Sequence, residues 1–207
     1  ADNRTAPSFL FESVENGDEV GRYSFLGADP SLEIIAYEHN VTIRNHIDGT
    51  HESQTCENPL ELVRELSENW TVSEPVANGE LPLPEFIGGW VGYAGYDSAR
   101  FSELEVLPFS NAPQDDRNLP DIHFALYRTV VVFDHVAKIV HVVHNSMLAD
   151  GETTKDAWVE ANKELDRVVG LLKEETQNIP VGTIDIDLSS PPSAPQKSNM
   201  SKEDFLH

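Results

Sequence analysis

The run Thr129-Val130-Val131-Val132-Phe133 restricts what this chain can become more than any other feature of it. Four β-branched residues followed by an aromatic favour extended backbone, and an unbroken apolar run needs cover on both faces. The sequence therefore predicts a core strand here. It lies within a stretch, 124–134, that predicts the first arm of a hairpin, with 138–145 as the second arm across a short polar turn.

Upstream, strands and turns continue. Residues 8–13 and 23–26 read as short strands separated by the turn signal Glu15-Asn16-Gly17-Asp18. Residues 32–37 and 41–45 read as a hairpin, with Val41, Ile43 and Asn45 on one face and Thr42 and Arg44 on the other. A helix is expected over 59–69, with Asn58 as N-cap, Pro59 at the first helical position, Glu61 as capping-box partner and Leu60, Val63 and Leu66 at helical spacing. A second is expected over 153–174, where Trp158, Ala161, Leu165, Val168, Val169 and Leu172 recur at three and four. Residues 73–85 read as loop. The fold class is α+β, an antiparallel β-sheet with flanking helices. The chain should divide into a main region, 1–176, a Pro/Ser-rich linker, 177–200, and the capped start of another helix at 201–207, which points to a chain that continues.

Charge excludes several partners. Asp and Glu number 36 against 14 Lys and Arg, a net charge of −22. Such a surface repels nucleic-acid phosphates and anionic lipid, so neither nucleic acid nor a membrane surface is expected as a partner. Cys56 is the only cysteine, which rules out an internal disulfide and a thiolate metal cluster. No run approaches the ~20 apolar residues of a spanning helix, and no signal peptide is visible. The expected setting is a reducing compartment.

The chemistry-bearing motifs are few. Gly88-Gly89-Trp90-Val91-Gly92-Tyr93-Ala94-Gly95-Tyr96-Asp97 invites a phosphate-loop reading but lacks both GxGxxG and Gly-Lys-Ser/Thr. Glycines interleaved with aromatics instead predict a tightly packed strand. The histidines show no ligand spacing: His141 and His144 fall on opposite faces of a strand, His46 and His51 fall in a turn, and His135 lies at a hairpin tip. Neither a catalytic residue nor a metal ligand is expected in this chain.

One segment is specific. Two strands joined by a turn bring Glu12 and Ser13 near Arg22 and Ser24. A zwitterion wants that set: acceptors for its ammonium, and a guanidinium for its carboxylate in a charge-assisted bond of about 1.5–3 kcal/mol. The same residues would also serve as an Arg22–Glu12 cross-strand pair of at most about 1 kcal/mol if exposed. The residues alone leave both readings open.

At this segment the chain resembles the N-terminal region of the large, chorismate-using subunit of anthranilate synthase. The family's Leu-Leu-Glu-Ser stands as Leu10-Phe11-Glu12-Ser13, its Gly-Arg-Tyr-Ser-Phe as Gly21 to Phe25, and its Gly-Gly-x-x-Gly-Tyr-x-x-Tyr-Asp as Gly88 to Asp97; Phe133-Asp134-His135 also fits. The glycine signature is shared with 4-amino-4-deoxychorismate synthase. The resemblance implies an allosteric site for L-tryptophan, an inhibitor, formed by Glu12, Ser13 and Arg22 with Leu10, Tyr23 and Ser24 as walls. Phe11, where the family has Leu, alters the pocket wall. The resemblance also implies a parent enzyme that uses Mg2+ and turns chorismate and ammonia into anthranilate and pyruvate, with ammonia supplied from glutamine by an amidotransferase subunit or domain. The chorismate site, the Mg2+ ligands and the second wall of the tryptophan pocket would lie in a C-terminal chorismate-binding domain beyond His207. This stretch alone would then be inactive and would expose the face of its 130–133 strand to be covered by that domain. Its location would be cytoplasmic, or the plastid stroma after loss of a transit peptide. Two rivals stand beside this reading: the equivalent region of aminodeoxychorismate synthase, and a non-catalytic scaffold that binds the amidotransferase.

Overall fold

The computed structural model describes residues 6–15, 19–68, 70–71, 73, 84–148, 151–174, 198 and 200–206, the side chains of 13–15, 19 and 20 excepted. Residues 16–18 of the expected turn, most of the 73–85 loop and nearly all of the 177–200 linker fall outside these residues. Two compact units are distinguished, 1–173 and 174–207.

The first unit holds two antiparallel sheets. Its strands in chain order are β1 (Phe9–Glu15), β2 (Glu19–Gly27), β3 (Leu32–Tyr37), β4 (Asn40–Asn45), β5 (Thr50–Thr55), β6 (Gly89–Ala94), β7 (Ile122–Tyr127), β8 (Thr129–Asp134) and β9 (Ile139–His144). One sheet has the order β1-β2-β8-β9 and the other β5-β4-β3-β7-β6. The 124–134 stretch expected as one arm is therefore two strands. The chain breaks at Arg128 and passes from the five-stranded sheet to the four-stranded one. Polar bonds fix the break: the Arg128 carbonyl accepts from the Asn145 N–H at 2.7 Å, and the Arg128 Nε–H donates to the Asn145 carbonyl at 2.9 Å.

That crossing lets the sheets share a core. Val130 and Val132 of β8 are buried with Ala125 and Tyr127 of β7, and Phe9, Tyr23, Phe25, Phe86 and Val91 pack around them. The Phe9 ring meets Tyr127 edge-on at 4.7 Å between centroids, and Phe25 meets Phe86 at 5.5 Å. The expectation that the 130–133 strand would present a bare face is overturned: Val130 and Val132 are fully buried and Val131 is 6% exposed. The second sheet covers Val130 and Val132.

The glycine run forms β6, as expected of a packed strand. Gly92 lies opposite Phe124, and the His123 and Phe124 backbone occupies the space a Cβ would need.

The other face of the five-stranded sheet is covered by α1 (Pro59–Ser67). Ile34, Ala36, Val41 and Ile122 pack there against Leu62, Leu60, Val63, Leu66 and Phe101. Asn58 caps this helix, its Oδ1 accepting from the Leu60 N–H at 3.2 Å. The capping box does not form, because the Glu61 carboxylate takes the Arg64 Nε–H at 2.7 Å instead. Helix α2 (Thr154–Lys173) lies against β9. It buries Ala157 and half-buries Ala161, Leu165, Val168 and Val169. Trp158, expected in that stripe, is 69% exposed, and Leu172 faces solvent as well. β5 was not expected. Its sequence, THESQT, is polar and exposed throughout, as an edge strand tolerates.

In the second unit, α3 (Lys202–Leu206) is a short helix capped as expected. Ser201 Oγ accepts from the Asp204 N–H at 3.1 Å and donates to Asp204 Oδ2 at 2.6 Å.

Candidate functional site

β1 and β2 pair with Leu10 opposite Leu26, Phe11 opposite Phe25 and Glu12 opposite Ser24. Since side chains alternate along a strand, Leu10, Glu12 and Ser24 share one face, and Phe11, Tyr23 and Phe25 share the other. The register shifts between Glu12 and Val14, so Ser13 sits at a bulge. Such an irregularity bends the strand and re-aims what it carries. β1 is the sheet edge; Leu10, Phe11 and Glu12 are exposed there.

The structure thus brings Glu12, Ser24 and Leu10 together on one surface, with Arg22 two residues before Ser24 on the same strand. It does not place Tyr23 with them. That ring joins the inter-sheet core, 6.0 Å from the Phe25 ring, and the Arg22 guanidinium carbon lies 4.8 Å from its centroid. Phe11 lies half-exposed with its ring 4.8 Å from Phe9.

The ion-pair partner of Arg22 among the described residues is Asp134, not Glu12. Nε–H and Nη2–H donate to Asp134 Oδ2 at 3.2 and 2.9 Å. The other oxygen, Oδ1, accepts from the N–H groups of Val136 and Ala137 at 2.9 and 2.8 Å. Asp134 is buried. The Arg22 guanidinium and these backbone donors outweigh burial and hold its carboxyl down at about 2. Arg22 itself remains 52% exposed along its side chain. Of the five N–H donors of a guanidinium, two point at Asp134, and the other three find no hydrogen-bond partner among the described residues. Ser24 is buried, and its Oγ lies 2.7 Å from His135 Nε2.

Asp134 and His135 were not among the residues expected at the site. Their separation from Arg22 is too large for any local pattern to join them. A local signal for half of the role did exist: an Asp at a strand end commonly takes the N–H groups that follow it, as Asp134 does.

A second polar cluster was also not expected. Glu33 on β3 is buried. Its Oε1 accepts from His123 Nε2 at 2.8 Å, and its Oε2 from His46 Nε2 at 3.0 Å and Arg44 Nη1 at 3.5 Å. Burial pushes this carboxyl up, but the bonds from His123 and His46 and the charge of Arg44 together bring it below its ordinary value. Among the described residues no three His, Cys, Asp or Glu side chains are grouped to hold a metal ion, so the Mg2+ implied by the resemblance finds no fitting donor set in them. No described helix is long and apolar enough to cross a membrane.

No family model matches the chain. Comparison with curated proteins is more informative. The chain is 43% identical over 211 residues to anthranilate synthase alpha subunit 1, chloroplastic, of Oryza sativa subsp. indica, covering 99% of this chain and 35% of that protein. It is 40% identical over 208 residues to the Arabidopsis thaliana protein of the same name, again covering 99% of this chain and 35% of the other. Among solved structures, anthranilate synthase component I from Streptococcus pneumoniae TIGR4 shares the fold, with a TM-score of 0.54 and 22% identity across 82% of this chain and 32% of that one. The chain spans about a third of the length of the curated relatives it matches. Over most or nearly all of its own length, then, the chain is similar to one part of the anthranilate synthase component I subunits.

Proposed function

We propose that this chain is the tryptophan-sensing, non-catalytic part of an anthranilate synthase component I. The observation that carries the reading is the surface on β1 and β2. Glu12 faces Ser24 across the strand pair, and the neighbouring Arg22, anchored at Asp134, keeps donors to spare for a carboxylate. An amino acid needs both halves at once, an acceptor for its ammonium and a fork for its carboxylate.

The parent protein converts chorismate and ammonia into anthranilate and pyruvate, with ammonia delivered from glutamine by an amidotransferase partner. Its chorismate site and Mg2+ ligands belong to the two thirds of the protein that this chain does not span. The names of the relatives, anthranilate synthases in each case, favour this pathway over aminodeoxychorismate synthesis. The plant relatives are named chloroplastic, which favours the plastid stroma over the cytoplasm.

Calorimetric titration of L-tryptophan into the full-length parent and its Arg22→Ala variant tests the sensor. Saturable binding that weakens roughly tenfold or more in the variant, the worth of one charge-assisted bond, is expected. Equal affinity in both would refute the role of Arg22. A separate assay of these 207 residues with chorismate and ammonia should give no anthranilate; measurable turnover would refute the claim that catalysis lies elsewhere.

A further inference from the structure

The turn after β8 holds the site from behind through two consecutive residues. Asp134 binds Arg22 and is itself fixed by the N–H groups of Val136 and Ala137. The backbone closes the same junction: the His135 N–H donates to the Arg22 carbonyl at 2.8 Å, and the Lys138 N–H to the Asp134 carbonyl at 2.8 Å. His135 then reaches Ser24 at 2.7 Å. An arginine has several rotatable bonds, and an unheld guanidinium must be ordered by its ligand. Here one edge of the guanidinium is already docked on a carboxylate that cannot swing, while the Tyr23 ring lies under its plane.

We propose that Asp134 and His135 are positioning residues of the amino-acid site. Asp134 presents the outer edge of the Arg22 guanidinium to the ligand carboxylate, and His135 fixes the Ser24 hydroxyl beside it. This inference rests on the sensor reading above and adds to it the residues that pre-organise the pocket. Pre-organisation lowers the ordering cost of binding, so its loss shows as weaker affinity without loss of a ligand contact. Asp134→Asn is a suitable probe. Its Oδ1 can still accept from Val136 and Ala137, but its amide cannot receive the Arg22 donors.

The test is calorimetric titration of L-tryptophan into the full-length parent protein, unaltered and as R22A, D134N and the R22A/D134N double variant, with the thermal midpoint of each recorded. D134N is expected to weaken binding roughly five- to twentyfold, and the double variant to bind no worse than R22A, because Asp134 acts only through Arg22. A purely structural role would instead make the two losses multiply, and that result overturns the proposal. D134N binding as tightly as the unaltered protein while R22A binds weakly also overturns it but leaves the sensor reading intact. No binding by the unaltered protein overturns both. His135 is probed by H135A and H135Q, since a glutamine amide can stand near the Nε2 position. Weakening in H135A that is restored in H135Q supports the assignment; unchanged affinity in H135A removes His135 from it.

Discussion

Replacing Gly92 with alanine tests the reading of the glycine run as a packed strand. A methyl there would collide with the His123 carbonyl oxygen and lie 2.7 Å from Phe124 Cα and 2.8 Å from the His123 carbonyl carbon. Carbon–carbon contacts are optimal at about 3.5–4.0 Å, so β6 must retreat from β7 by roughly 1 Å. All three obstacles are backbone atoms, and no rotamer change can relieve them. Overpacking costs about 1–3 kcal/mol, and each ladder hydrogen bond stretched in the retreat adds about 1 kcal/mol. A loss of about 3 kcal/mol follows, which for a chain of this size lowers Tm by about 6–12 °C. Gly170 is the matched control. It lies inside α2, and no described atom stands within 4 Å of the place a Cβ would take, so Gly170→Ala should stabilise by about 0.5–1 kcal/mol through helix propensity. Thermal unfolding followed by circular dichroism reads both. If G92A melts within about 1 °C of the unaltered protein, β6 is not packed on β7 as described.

Other perturbations follow from the same contacts. Asp134 sits at about 2 against an ordinary 3.8, held there by Arg22 and the backbone donors. A depressed carboxylate stabilises above its unfolded value and loses that contribution as pH falls through the folded one. The deficit of D134N in urea midpoint should therefore shrink between pH 4 and pH 2; an equal deficit at both ends would contradict the ion pair. Burial and the charge of Glu33 push the Tyr127 phenol up to about 12. Its stabilising contribution is complete below the unfolded value near 10 and fades as pH rises through about 12, so ultraviolet titration should show a late phenolate step that Tyr127→Phe removes. Ile34 is fully buried under α1, and Ile34→Ala should cost about 2–5 kcal/mol in denaturant unfolding. Val136→Ala, at a residue 72% exposed, should stay within about 0.5 kcal/mol.

The elements legible in the sequence are those whose information is local. Asn58 and Pro59 announced α1 because a cap and a fixed φ act over three residues. The glycine run announced a close backbone approach. The break at Arg128 was not legible, because apolar residues on either side continue one another and only pairing with distant strands divides them. β5 carries no apolar alternation, so nothing in THESQT distinguishes an edge strand from a loop. Trp158 fits a helical stripe by spacing, yet the buried face of α2 is set by where β9 lies, which periodicity does not encode. The candidate site divides in the same way. Glu12 and Ser24 could be paired from one hairpin, whereas the attachment of Arg22 to Asp134 and of His123 to Glu33 spans 112 and 90 positions.

The placement of β2 beside β8 sets a timetable. Arg22 leaves the ribosome 112 residues ahead of Asp134, an interval of roughly 6–22 s at 5–20 residues per second. For that time β1 and β2 have each other but not the strand that completes their sheet, and the hairpin of β3 and β4 likewise forms from neighbours before β7 arrives. Non-local pairing of this kind also slows refolding of the finished chain, since the intervening loop must close before its contacts stabilise it. The surface on β1 and β2 is thus completed late, and a pulse-labelled nascent chain should protect the amides that pair β1 with β2 and β3 with β4 before those that pair β2 with β8.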